Sequence, residues 1–195
     1  MRDPNIVWSN VQGLQSRSYD CGYCGNRVAS ATGYLFHHRS GAVVATIHTC
    51  PHCSEPTYFS SRGQIPGVRP GVDVGNLPKD VEVAYNEARD CIAASAFTAA
   101  SMTCRKVLMH IAVNHGAAPN QSFKTYVDYL VTTGYVPPNG RGWVDHIRDK
   151  GNEMNHELTF ATFAEANELI GFLEMLLKFI YEFPARVGSK VSAAP

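Results

Sequence analysis

The sequence is short of charge and has no excess of either sign. Charged residues make up 17% of its 195 residues, with Lys plus Arg at 17 and Asp plus Glu at 17, for a formal net charge of +0. That balance excludes a strongly basic protein that coats nucleic acid, and it excludes an acidic tail protein. No apolar run approaches the roughly 20 residues of a membrane span. The opening residues, MRDPNIVWSN, lack the basic-then-apolar order of a signal peptide. The expected compartment is therefore the cytoplasm, with no membrane partner. Also missing are a phosphate-cradling glycine loop, a serine elbow and an HExxH helix. What is abundant is apolar: 45% of residues are hydrophobic, enough to build a core.

Six cysteines are present, and four of them form two pairs, Cys21/Cys24 and Cys50/Cys53. In a chain without a leader, two such pairs read as metal binding rather than as disulfides. Each pair forms a knuckle that points two thiolates at one ion, and four thiolates complete the tetrahedron that zinc prefers. A filled shell leaves no position for water, so the expected ion is one structural Zn2+ per chain; iron suits the same cage. Gly25 supplies the tight turn after the first pair. His48 and His52 are expected at the surface or supporting the ligands from behind. Cys91 and Cys104 fall on apolar helix faces, as buried small hydrophobes.

Between the pairs the pattern is that of a hairpin: an extended run at Tyr34–Phe36, a turn at Arg39-Ser40-Gly41, and a β-branched strand from Ala42 to Ile47. Thr57-Tyr58-Phe59 adds a third short strand. Tyr34, Phe36, Arg39, Tyr58 and Arg62 then form an aromatic and basic surface suited to nucleic acid or to a protein, or else they simply pack and solvate a small domain. The expected organisation is a zinc ribbon over 18–62, a Gly/Pro-rich linker over 63–78, a helical bundle over 79–184 and a flexible tail over 185–195. The fold class is mainly α, behind a small β-rich zinc ribbon.

After Pro78 the hydrophobic period changes from two to about 3.6. Ala84, Ala88, Cys91 and Ile92 share a face on a first helix. Phe97, Ala100, Cys104, Leu108 and Ile111 mark a second, ended by Gly116. Arg105 flanks that stripe and is placed to reach inward to a carboxylate. Phe123, Tyr126, Val127 and Leu130 mark a third helix, ended by Gly134, and Trp143, Val144 and Ile147 a short fourth. The last helix starts with a capping box at Thr162 and Glu165, carries Phe163, Ala166, Ile170, Leu173, Leu177 and Ile180, and closes at Pro184.

The most polar stretch is Arg148 to Glu157. Arg148, Asn152 and His156 permit two readings. In one, Arg148 holds phosphate and His156 moves a proton near neutral pH, as in a ribonuclease. In the other, which the weak spacing favours, the three tie a loop down by hydrogen bonds.

The order and spacing of Leu77-Pro78-Lys79-Asp80-Val81, Tyr85-Asn86-Glu87-Ala88, Cys104-Arg105-Lys106-Val107-Leu108, and Arg148 with Gly151-Asn152-Glu153-Met154-Asn155-His156 resemble the family called domain of unknown function 4145. The resemblance covers roughly residues 76 to 183, and it implies a bundle similar to the HEPN superfamily. That superfamily holds metal-independent ribonucleases and non-catalytic defence and scaffold modules, often as homodimers. Asn152 and His156 match its nuclease motif, but Gly151 stands where the motif has arginine. The resemblance therefore implies a non-enzymatic binding or regulatory module, in a bacterial or phage defence or mobile-element context, that acts on a protein or nucleic-acid partner. The alternative it implies is a metal-independent endoribonuclease using Arg148 and His156.

Overall fold

The computed structural model describes residues 7–136, 143 and 160–191, with side chains as far as residue 187. The chain divides into two compact units, Met1–Arg69 and Pro70–Pro195.

The first unit is an antiparallel meander in the order β1-β2-β3-β4-β5. The strands are β1 (Gln12–Asp20), β2 (Arg27–His37), β3 (Val43–Thr49), β4 (Pro56–Ser60) and β5 (Gly63–Ile65). β1 pairs with β2 from Gln12↔Gly33 to Asp20↔Arg27. β2 pairs with β3 through Tyr34↔Ile47 and Phe36↔Ala45. Tyr58 then joins the same row, opposite Ile47 on one side and Ile65 on the other. The expected ribbon boundaries of 18 and 62 cut through β1 and stop short of β5. β1 reads QGLQSRSYD and carries no apolar alternation, because it is an edge strand with most of its side chains in solvent. β5 occupies the Gly/Pro-rich stretch as the opposite edge, where a short strand needs no side chain to pack.

The second unit is helical: α1 (Lys79–Ala93), α2 (Phe97–Asn114), α3 (Phe123–Thr132), α4 (Phe163–Leu177), a π-helical turn (Lys178–Glu182) and α5 (Phe183–Val191). α2 lies in the middle and packs against α1, α3 and α4. Ala100, Cys104, Leu108 and Ile111 are fully buried along it, as the 3.6-residue period requires. On α1 the buried stripe is Val81, Tyr85, Ala88, Arg89 and Ile92, centred one residue away from the expected face. Gly116 and Gly134 end α2 and α3 with positive φ (+104° and +84°), and each end closes with a Schellman pair of backbone bonds. The capping box at Thr162 and Glu165 starts α4 as expected.

The last helix does not close at Pro184. Proline in a helix interior clashes with the carbonyl four residues earlier. Here a π-helical turn immediately precedes it, with the Phe183 N–H bonded to the Lys178 carbonyl. That wider turn absorbs the proline, and α5 runs through most of the stretch expected to be a tail.

The segment just before α1 is also no loose linker. Arg89, 6% exposed, donates to the carbonyls of Pro70 (2.9 Å) and Gly71 (3.2 Å) and to Asp73 (2.6 Å). The Tyr85 hydroxyl donates to the Val72 carbonyl at 3.0 Å, Glu174 accepts from the Val72 N–H, and buried Glu182 accepts from the Gly75 N–H. Four side chains from three elements thus satisfy an irregular stretch of backbone that has no ladder of its own. No helix among the described residues is long and apolar enough to cross a membrane.

Candidate metal centre

Two hairpins of the sheet end in matching turns. β1 passes into β2 through Cys21–Asn26, and β3 into β4 through Cys50–Glu55. In the first turn the Cys21 N–H bonds to the Asn26 carbonyl (3.0 Å) and the Gly25 N–H to the Cys21 carbonyl (2.8 Å). In the second, Cys50 bonds to Glu55 (2.9 Å) and Ser54 to Cys50 (2.8 Å) in the same way. Both turns need a positive φ at the fifth position, +71° at Gly25 and +61° at Ser54. Gly25 was legible in the sequence; Ser54 was not, because serine carries no signal for that conformation.

The two turns bring four sulfurs together. All lie within 4.8 Å of one another. Cys21 Sγ is 3.7 Å from Cys53 Sγ, and Cys24 Sγ is 3.9 Å from Cys50 Sγ. A tetrahedron with zinc–sulfur bonds of about 2.3 Å has edges of about 3.8 Å. The cluster is therefore the right size for one metal ion, and the separations are far too long for disulfides. Cys21 and Cys50 are buried, and Cys24 and Cys53 are half-buried.

The thiols are electrostatically uneven. Burial raises Cys21 and Cys53. Burial also acts to raise Cys24, but hydrogen bonds from Asn26, Cys53 and Cys21 outweigh it and bring that thiol down to about 6. A divalent cation binds thiolates, so it displaces the protons that this set holds.

Neither histidine belongs to the ligand set. The Asn26 side-chain amide donates to His52 Nδ1 at 3.1 Å, which binds one knuckle to the other. His48 is 2% exposed, and its Nδ1 donates to the Ser30 carbonyl at 3.1 Å. Its ring lies against Tyr19 and Phe59, with centroids 6.3 and 5.5 Å away. It is a core residue rather than a surface one, and burial lowers its pKa.

Gly22 explains why the stretch after β5 belongs to this unit. A Cβ there would stand 2.4 Å from the Gly67 carbonyl oxygen and 2.6 Å from that of Pro66. Gln64 Nε2 holds the same approach, donating to the Asp20 carbonyl at 2.8 Å and to the Pro66 carbonyl at 3.1 Å.

Arg148, Asn152 and His156, with Gly151, lie outside the described residues, as do Val144 and Ile147. Trp143 is helical, and its ring meets Phe172 edge-on at 5.3 Å. Cys104 is fully buried and Cys91 half-buried. Arg105 is 9% exposed, with its guanidinium 4.6 Å from the centre of the Phe123 ring. Burial lowers its pKa.

The family model described as "Domain of unknown function (DUF4145)" matches residues 86–194. That stretch runs from the middle of α1 onward and leaves the four cysteines outside it. No curated protein and no solved structure matches the chain.

Proposed function

Because the chain belongs to the domain of unknown function 4145 family, we propose that it is a non-enzymatic binding or regulatory module of HEPN type whose N-terminal unit is held in shape by one structural zinc. Cys21, Cys24, Cys50 and Cys53 would hold the ion. The observation that supports this reading is the four-sulfur cluster, with edges of 3.7 and 3.9 Å matched to a tetrathiolate shell. Four sulfurs fill the coordination sphere of zinc, and no place is left for a substrate or a water to be activated. The ion supplies folding energy, and the protein supplies two hairpins that present the ligands.

Elemental analysis of protein purified without chelator should give one zinc per chain. Absence of stoichiometric metal overturns the proposal, and iron in its place overturns the identity of the ion. The non-enzymatic part is tested on mixed single-stranded RNA. Cleavage by pure protein that disappears in His156→Ala would replace it with the endoribonuclease reading.

A further inference from the structure

The sheet of the N-terminal unit has two unlike faces. Phe59 and His48 are buried on one, with Tyr19 packed against them. The other is built on the row Tyr34, Ile47, Tyr58 and Ile65, whose members lie directly opposite one another across four strands. Opposed residues in a sheet project from the same face. Phe36, two residues beyond Tyr34 on β2, shares that face. This face is aromatic and open: Phe36 is 64% exposed, Trp8 39%, Tyr58 37% and Ile65 59%.

The rings are also held. Trp8 meets Tyr34 edge-on at 6.3 Å, and its indole N–H donates to the Ser54 carbonyl at 2.7 Å. The Tyr34 hydroxyl donates to the Ser9 carbonyl. Phe36 on β2 and Tyr58 on β4 are two strand spacings apart, about 10 Å laterally.

Charge is uneven between the two ends of the sheet. At the knuckle end stand Asp20, whose carboxylate pairs with Arg27 at 3.0 Å, and Glu55, the two carboxylates of this unit's described residues. Four thiolates around a divalent ion add a net negative charge at that same end. At the opposite end, the β2–β3 turn carries Arg39 beside His37 and His38, and the β4–β5 turn carries Arg62. Both arginines are exposed, and no carboxylate accompanies them there among the described residues.

We propose that this face binds single-stranded nucleic acid, with bases stacked on Phe36, Tyr58 and Trp8 and phosphates at Arg39 and Arg62. Aromatic rings accept any base on its π-face, and exposed arginines at one end supply the complementary charge. The flat rings need unstacked, unpaired bases, so duplex is excluded as the ligand. The inference rests on the N-terminal unit being a zinc-held binding element, and it assigns that element its partner.

The test uses the full-length, zinc-loaded chain and fluorescently labelled oligonucleotides of mixed sequence, as single-stranded RNA, single-stranded DNA and duplex DNA. Anisotropy should show binding to single strands over duplex, and a preference for RNA or DNA identifies which polymer supplies the ligand. Phe36→Ala and Tyr58→Ala should each weaken binding by about 5- to 150-fold, with zinc content and circular dichroism unchanged. Joint replacement of Arg39 and Arg62 by Ala should flatten the dependence of log K on log salt by about 1.4. Equal affinity for duplex, or wild-type affinity in both aromatic variants, overturns the assignment. A chain that holds one zinc yet binds no oligonucleotide also overturns it, while leaving the structural-zinc reading intact. A chain without zinc defeats that reading instead.

Discussion

The two units of this protein are stabilised in different ways. Among the described residues, 24 buried hydrophobic residues of the helical unit form one core cluster, whereas the buried hydrophobic cluster of the sheet unit is Tyr19, Phe59, Cys21 and Cys50, with the His48 ring against it. Half of that small cluster is cysteine from the four-sulfur group. A unit of roughly sixty residues is marginal on hydrophobic burial alone, and one with so small a buried cluster gains the most from a bound metal. The helical unit differs: α2 packs against α1, α3 and α4 around a hydrophobic core. One unit should therefore fold with its metal and the other without regard to it.

The largest effect should come from breaking the metal cage. Cys50→Ser removes a proposed ligand whose side chain is also core, at 1% exposure. Structural zinc contributes about 10–16 kcal/mol in small zinc-folded peptides. The sheet unit should lose its tertiary structure almost completely, and zinc should fall to background. The helices should persist. Two-dimensional amide NMR would read both units at once: dispersed signals should vanish for residues 12–65 and remain for the helical unit. Loss of both sets together would mean that the helical unit depends on the metal.

The same difference decides what the sequence disclosed. Metal spacing and helical period are local patterns, so Cys21, Cys24, Cys50 and Cys53 could be grouped, and Phe123, Tyr126, Val127 and Leu130 placed on one face, before any coordinates. Features satisfied at long range left no local trace. β1 is a polar edge strand defined only by its ladder with β2. The Pro70–Gly75 segment is fixed by Tyr85, Arg89, Glu174 and Glu182, the last two about a hundred residues away in sequence. Pro184 is a stop signal in isolation, and only the preceding π-helical turn removes its meaning. At the four-sulfur cluster, the approach of Cys21 to Cys53 and of Cys24 to Cys50 depends on how the two knuckles meet, which spacing alone does not specify.

The converse experiment strikes the helical core. Leu173 on α4 is fully buried within the 24-residue cluster. Leu173→Ala removes its packing and leaves a cavity, at about 2–5 kcal/mol. The urea midpoint of the helical signal should fall, while zinc content and the dispersed signals of the sheet unit stay as in wild type. A parallel loss of zinc would show that the two units fold as one.

The smallest effect gives the sharpest contrast, because the same chemical change can be made once in each unit. Gly25 in the first knuckle (φ +71°) and Gly134 at the end of α3 (φ +84°) both hold left-handed backbone, and a Cβ at either meets nothing within 4 Å. Alanine there adds no clash, only the conformational penalty of about 1–2 kcal/mol that a side chain pays at positive φ. In Gly134→Ala that penalty should appear directly as lost stability of the helical unit, with metal affinity untouched. On the proposed zinc reading, folding of the sheet unit is coupled to binding of the metal, so in Gly25→Ala the same penalty should appear as weaker zinc binding, by about 5- to 30-fold at 1.4 kcal/mol per decade. Competition with a chromophoric chelator measures the second, and urea unfolding followed by circular dichroism the first. If Gly25→Ala left zinc affinity unchanged, the knuckle would not be coupled to the ion, and the contrast between a metal-built unit and a core-built one would fail.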